Sequence, residues 1–362
     1  MELGVYSFGD VQKDPVTGKL GSTAEAMRNL VEAIRVADQA GLDYFGVGEH
    51  HTREMPASAA AVVLAGAATV TKTIRLGSSV TVLSTDDPVR VFQQFATVDA
   101  LSNGRAEITA GRGSSTESYP LFGYDLADYD PLYAEKLDLL QLLNEHETVT
   151  WSGTFRPALE EALVVPRPET GRLTLRVGTG GSPGSSVRAG RRGLPVVYGI
   201  IGGEPAKFAP LAELYRQAAA QSGTPAQNIN VGVASPGFLG DHGQATKDMW
   251  WGHWATRMEI ISAQRGFPMM SRNGYRRATS AGGALFVGHP EEVAERIVEL
   301  HRAMGQDRQI LEMDYGHLPH RDLLHSIELL GTKVKPLVDA ELGAAPAPAT
   351  NTPAPTREGA RA

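Results

Sequence analysis

The sequence predicts an α/β fold in which eight parallel strands, each followed by a helix, close into a (β/α)8 TIM barrel with long insertions at its carboxyl-end face. Three observations predict it. Apolar runs of strand length alternate with segments of helical spacing, eight times along 362 residues, a length that suits one large barrel. Several of the runs stop in the same way, in glycines and polar or titratable residues. Tyr44 to Gly48 ends in Glu49-His50-His51, Ala106 to Ala110 in Gly111-Arg112-Gly113-Ser114-Ser115, and Leu175 to Val177 in Gly178-Thr179-Gly180-Gly181-Ser182. The carboxyl ends of barrel strands form the functional face of this architecture, so strands that stop in such residues also fix its polarity. Regular alternation fits closure better than an open sheet.

Strands are expected over residues 2–8, 44–49, 74–83, 106–111, 176–178, 196–201, 229–239 and 309–315. The first helix, over 24–40, sets Met27, Leu30, Val31, Ile34 and Ala37 on one face, with Gly41 following as a C-cap. Further helices are expected over 58–71, 88–101, 132–144, 183–192, 206–220, 244–264, 290–304 and 319–337. Pro88, Pro183, Pro290 and Pro319 suit first turns, where no N–H has an intrahelical partner. Three stretches exceed ordinary loop length: 114–131, 149–173 with a hairpin around Trp151-Ser152-Gly153, and 265–283, which reads as a lid. From 343 onward the chain is Ala, Pro, Thr and Gly; a disordered tail is expected there, leaving 1–342 as the barrel domain.

Composition narrows the function. A net charge of −7 gives no general attraction to nucleic acid or anionic membrane. The absence of cysteine excludes disulfides, thiolate nucleophiles and Cys-based metal sites. The most apolar segment, 57–68, is too short to span a bilayer, and Met1-Glu2-Leu3 enters a strand without a leader-like pattern. A cytoplasmic protein is expected. The same 57–68 segment lacks a charged face, which a barrel's outer helix normally keeps in water, so it is expected to pair two copies in a homodimer.

Arg112, between two glycines at a strand end, is placed to grip a phosphate; the alternative is a pairing with Glu107 or Glu49. The Gly180-Gly181-Ser182-Pro183 turn opens a helix whose free N–H groups favour an anion; a plain tight turn is its alternative. Together they imply a phosphorylated cofactor or substrate. His50 or His51 suits acid–base work, and no other histidine shows metal-ligand spacing. Ser78 and Ser79, small residues inside an apolar run, leave room for a flat ring or simply fill a taper. Trp250, Trp251 and Trp254 pack onto the barrel or wall an apolar pocket with Phe8, Met269 and Met270. Arg272, Arg276 and Arg277 are expected to stay solvated.

Taken in order, Glu49-His50-His51, Arg75-Leu76-Gly77 with Pro88-Val89-Arg90, Asp99-x-Leu101-Ser102-x-Gly104-Arg105, Gly111-Arg112-Gly113 and Pro120-Leu121-Phe122-Gly123 resemble the bacterial luciferase-like flavin-dependent oxidoreductases, over residues 1 to about 340. The resemblance implies a barrel that binds FMN, reduced by a separate flavin reductase, and uses O2 through a C4a-peroxyflavin to oxygenate an organic substrate. By position, His50 corresponds to the catalytic histidine, and Ser78, Ser79 and Val80 fall where the isoalloxazine rests, the Ser79–Val80 bond being cis in relatives. Arg112, Gly180, Gly181 and Ser182 correspond to the phosphate end. The missing cysteine departs from light-emitting members, and Glu-His-His replaces the Asp-His of deazaflavin users, which favours FMN over coenzyme F420. A dehydrogenase using F420 and a non-catalytic flavin-binding protein are the alternatives.

Overall fold

The computed structural model describes residues 1–14, 16–113, 116–266 and 269–343. Eight strands form the barrel: β1 Glu2–Ser7, β2 Tyr44–Val47, β3 Arg75–Ser78, β4 Ala106–Gly111, β5 Thr174–Thr179, β6 Val196–Gly199, β7 Val231–Leu239 and β8 Arg308–Glu312. All neighbours are parallel, and the ring closes through Val231↔Val196 between β7 and β6 and Glu2↔Arg308 between β1 and β8. The outer helices are α1 Thr23–Gln39, α2 Ala60–Ala68, α3 Pro88–Ser102, α4 Tyr129–Glu145, α5 Pro183–Arg191, α6 Ala209–Gln221, α7 Gly243–Arg265, α8 Pro290–Met304, α9 His320–Leu329 and α10 Lys335–Leu342. No helix among the described residues is long and apolar enough to cross a membrane.

Local chemistry sets the helix starts. The Ser22 hydroxyl accepts the Glu25 N–H at 3.1 Å ahead of α1, and the Asp87 carboxylate accepts the Val89 N–H at 2.9 Å ahead of α3, each satisfying a donor that the helix leaves open. Leu30, Ala33, Ile34 and Ala37 of α1 turn inward, so the expected apolar face holds, with Met27 and Val31 at its edge.

Three expectations change. The run 74–83 is not one strand: β3 ends at Ser78, Ser79-Val80 step out of the sheet, and Thr81–Val82 rejoins it against β4. The final helix divides, because Leu330–Val334 forms a π-turn between α9 and α10, where Gly331 lies hard against the Ala40 carbonyl. The stretch 265–283 contains a helix, Arg272–Ala278, anchored by Tyr275, whose hydroxyl donates to the Lys247 carbonyl at 2.8 Å; residues 267 and 268 of the expected lid lie outside the described residues. So does the expected tail past Gly343. The hairpin around Trp151 is present, as Thr148–Trp151 paired with Leu159–Leu163.

The lumen is filled in layers. Glu2, Arg75, Glu107, Arg176 and Arg308 make a charged floor at the amino ends of the strands. Tyr6, Tyr44, Val197, Ala234 and Ile310 pack above it, with Phe8 against them. Tyr44 links the layers, its ring 4.3 Å from the Arg308 guanidinium and its hydroxyl donating to the Ser78 carbonyl at 3.0 Å. Gly77 makes room for that ring: a Cβ there would stand 2.6 Å from the Tyr44 hydroxyl.

Candidate functional site

The carboxyl-end mouth is built from strand ends that have lost their alternation. Beyond β2 the chain leaves the sheet at Gly48, and the two histidines diverge. His50 is 6% exposed, its ring edge-on to Phe8 with centroids 4.5 Å apart, and its Nδ1 is 2.5 Å from Glu117 Oε1. His51 turns to Glu49, Nε2 to Oε1 at 3.0 Å, and the other Glu49 oxygen accepts the Val82 N–H at 2.9 Å. His51 thus belongs to a strut that ties the end of β2 to the displaced Thr81–Val82 segment, and His50 faces the mouth.

Glu117 defines what His50 can do. Burial by itself raises the Glu117 carboxyl, but the bond to His50 and local backbone hydrogen bonds outweigh it and hold the group at about 2. An ionised carboxylate only accepts, so Nδ1 is the donor of this pair. Nε2 has no hydrogen-bond partner among the described residues. Sequence reasoning missed Glu117, which lies 67 residues from His50; the unusual length of the 114–131 stretch was the only signal.

Ser79 and Val80, partly exposed and joined by a cis peptide, cap the lumen. The Val80 side chain occupies space that a Cβ at Gly111 or Gly178 would invade, at 2.5 and 2.6 Å, so glycines at the ends of β4 and β5 are what let it sit there. Ser78 behaves differently from the expectation. It is fully buried; its hydroxyl accepts the Thr109 N–H at 3.1 Å and donates to the Thr109 carbonyl at 3.2 Å. That side chain seals the β3–β4 seam and has nothing left for a ligand.

Arg112 reaches across from β4 to α5. Its Nη1 is 2.5 Å from Asp130 Oδ1, its Nη2 donates to the Ser185 hydroxyl at 3.3 Å, and its guanidinium lies over the Tyr129 ring. Neither Glu107 nor Glu49 is its partner. Asp130 is largely exposed, and an exposed pair of this kind contributes only about 0–1 kcal/mol, so an incoming anion can compete for the arginine. Ser182 caps α5, accepting the Ser185 N–H at 3.3 Å and bonding the Ser185 hydroxyl at 2.8 Å. Gly181 takes φ +96°, a conformation that suits glycine, and a Cβ on Gly180 would meet nothing within 4 Å. Arg188 closes on the same hydroxyl at 3.5 Å. The structure therefore joins Arg112 to the Gly180–Ser182 turn and adds Ser185 and Arg188, which sequence reasoning did not single out although both lie within the first two turns of the helix. Ser114 and Ser115 lie outside the described residues.

Behind Phe8 sits a buried acidic group. Arg257 of α7 donates to Asp10 at 3.0 Å and to Glu312 at 2.8 Å, and the Tyr6 and Tyr315 hydroxyls both donate to Glu312 at 2.9 Å. The Ser7 hydroxyl donates to Asp314. Burial, then the neighbouring Glu312 carboxylate, push the Asp314 carboxyl up to about 7. Trp250 and Trp254 are buried against Phe238 and Tyr315, the packing alternative. Arg272 is not left in solvent: it pairs with Asp248 and lies over the Trp251 ring.

A family model described as luciferase-like monooxygenase matches residues 1–307. The chain is 28% identical over 316 residues to 4-hydroxyprotoasukamycin monooxygenase of Streptomyces nodosus subsp. asukaensis, covering 84% of this chain and 85% of that protein. Among solved structures, the oxygenating constituent of 3,6-diketocamphane monooxygenase of Pseudomonas putida, in complex with FMN, superposes with a TM-score of 0.74 at 21% identity over 93% of this chain and 98% of that one. The coenzyme F420-dependent tetrahydromethanopterin reductase of Methanopyrus kandleri gives 0.68 at 19% identity, covering 92% and 98%. These two likenesses establish the barrel.

Proposed function

We propose that this chain, which belongs to the luciferase-like monooxygenase family, is an FMN-dependent cytoplasmic monooxygenase that takes reduced flavin from a separate reductase and uses O2 to oxygenate a small or medium apolar organic substrate. One observation carries the reading. Arg112 meets Ser182 and Ser185 at the N-terminus of α5, and five residues further along the same chain Glu117 holds His50. Five residues span at most about 18 Å, so an anion grip and an imidazole with a free nitrogen share one rim.

The residues fit FMN. Arg112, Ser182 and the first turn of α5 would hold the phosphate, the open backbone at Gly180 admits close approach, and the Ser79–Val80 platform would border the ring. Reduced flavin supplies the electrons that activate O2. His50 holds or moves a proton through Nε2, and Glu117 keeps its tautomer. Phe8, edge-on to both His50 and Tyr6, keeps water from that side.

The test is anaerobic titration with reduced FMN, then admission of O2 with oxygen uptake followed. Saturable FMN binding and substrate-stimulated uptake are expected. Binding of F420 in preference to FMN, without O2 uptake, moves the chain to the dehydrogenase reading; flavin binding without turnover leaves a flavin carrier.

We also propose a homodimer. α2 buries Ala60, Ala61, Leu64, Ala67 and Ala68 and turns Val62, 67% exposed, outward with no charge beside it on the helix, a face that a second copy would cover. A monomeric mass at micromolar concentration overturns this.

A further inference from the structure

A cavity of about 860 Å3 lies at the opposite end of the barrel, beneath the amino ends of the strands, with Glu2, Arg75, Glu107, Arg176 and Asn230 among its walls. Its chemistry is unusual for a barrel floor. Arg176 is 7% exposed, and its only side-chain hydrogen bond among the described residues runs from Nε to Glu107 Oε2 at 3.3 Å. The terminal nitrogens of this guanidinium have no acceptor, and neither is sealed from the cavity.

Glu107 cannot serve them because it is already committed. Both its oxygens accept from Arg308, at 2.8 and 3.0 Å, and Arg75 takes a further bond at 3.2 Å. Glu2 is drawn to Arg308 at 2.6 Å. Within this interlocked group three guanidiniums over two carboxylates leave one positive charge in excess, and the cavity wall beyond it adds Arg172 and Arg192 against Glu145 and Asp307. Burial, and then the like charge of Arg308, pull the Arg176 guanidinium below its ordinary value. A buried charge with unmet donors is costly until a counter-charge arrives.

We propose that this cavity is a binding site for a small polar organic carboxylate, held by Arg176. A carboxylate places two oxygens against the two free nitrogens in the planar, side-by-side geometry that guanidinium favours, and a single negative charge balances the floor. The cavity is far larger than a bare ion, and the side-chain amides of Asn230 and Gln141 on its wall suit the polar remainder of such a molecule. The site is independent of the flavin reading, since Arg176 and the Gly180–Ser182 turn stand at opposite ends of β5.

The experiment is titration calorimetry and thermal unfolding of the full chain with succinate, citrate and inorganic phosphate at constant ionic strength. Saturable carboxylate binding and a raised unfolding temperature are expected. Arg176→Gln should weaken that binding about tenfold or more, with FMN affinity unchanged. If that variant does not fold, Arg172→Glu carries the test: Arg172 is exposed on the cavity rim and makes no ion pair among the described residues, and its reversal should weaken carboxylate binding several-fold. Absence of saturable carboxylate binding, equal affinity in the variant that folds, or tighter binding of phosphate than of either carboxylate overturns the proposal.

Discussion

Arginines do different work at the two ends of this barrel. At the floor, Arg308 is 2% exposed and saturated: Glu107 takes it at two oxygens and Glu2 at a third. At the mouth, Arg112 leans on a solvent-exposed carboxylate and one hydroxyl beside a helix N-terminus. Residue type is the same, and so is the chemistry of the partners. The difference is in what remains available. A guanidinium whose donors are all met by buried carboxylates is a structural plug, whereas one held by weak, wet partners can be claimed by a ligand. Burial therefore separates a fold-forming ion pair from a binding group, and counting charges along the chain cannot.

The sharpest break of this comparison lies at the mouth. His50→Ala should leave FMN affinity nearly intact while turnover falls about 10²–10⁴-fold, with more H2O2 released per O2 consumed. His51→Ala should spare coupling and lower stability, because His51 belongs to the Glu49–Val82 strut. Wild-type coupling in the first variant and lost coupling in the second would show that the roles are exchanged.

At the floor, Glu107→Ala strands Arg75, Arg176 and Arg308 without their shared acceptor. A buried pair broken from one side costs roughly 3–5 kcal/mol, so urea unfolding should show a loss of that order. A loss within the usual range of surface substitutions would mean that the floor is not a plug.

Arg112→Ala should do the converse. Stability should hardly move, since its carboxylate partner is exposed, while FMN affinity should drop by roughly 1.5–3 kcal/mol, about ten- to hundredfold. Equal flavin affinity by fluorescence quenching rules out the grip.

The smallest effect concerns the acids behind Phe8. An Asp whose folded pKa is raised binds more protons folded than unfolded between its two pKa values, so stability falls as pH rises through that interval. For Asp314 the window runs from about 4, the unfolded value, to about 7. The slope is at most about 1.4 kcal/mol per pH unit, and sharing of the charge around Arg257 with Asp10 and Glu312 should reduce the total to roughly 1–2 kcal/mol. Asp314→Asn should flatten that decline. An unchanged slope would place the proton elsewhere in the cluster.

Much of this was legible along the chain, for physical reasons. Strand–helix alternation and the run ends reported the barrel and its polarity, since a strand buried on both faces must be apolar and must stop where it meets the ligand-facing loops. Arg112 and the Gly180–Ser182 turn were legible because glycine and arginine at strand ends have few structural uses. Other features depended on contacts that no local pattern encodes. Ser78 and Ser79 are adjacent and identical in type, yet the hydroxyl of the first is committed to Thr109 and that of the second meets the Tyr44 hydroxyl at 3.2 Å; their different surroundings were decided only when Ser79-Val80 left the sheet. Likewise, the two histidines could not be told apart until Glu117 and Glu49 claimed one each. The sequence by itself determined the barrel and the absence of thiol chemistry, because these follow from periodicity and residue type. Tertiary structure alone decided which arginine is saturated by buried partners, which imidazole pairs with which carboxylate, and that a charged cavity underlies the floor. Hydrogen-bond valence is exhausted by neighbours that are distant in sequence, and only the closed ring of strands brings those neighbours together.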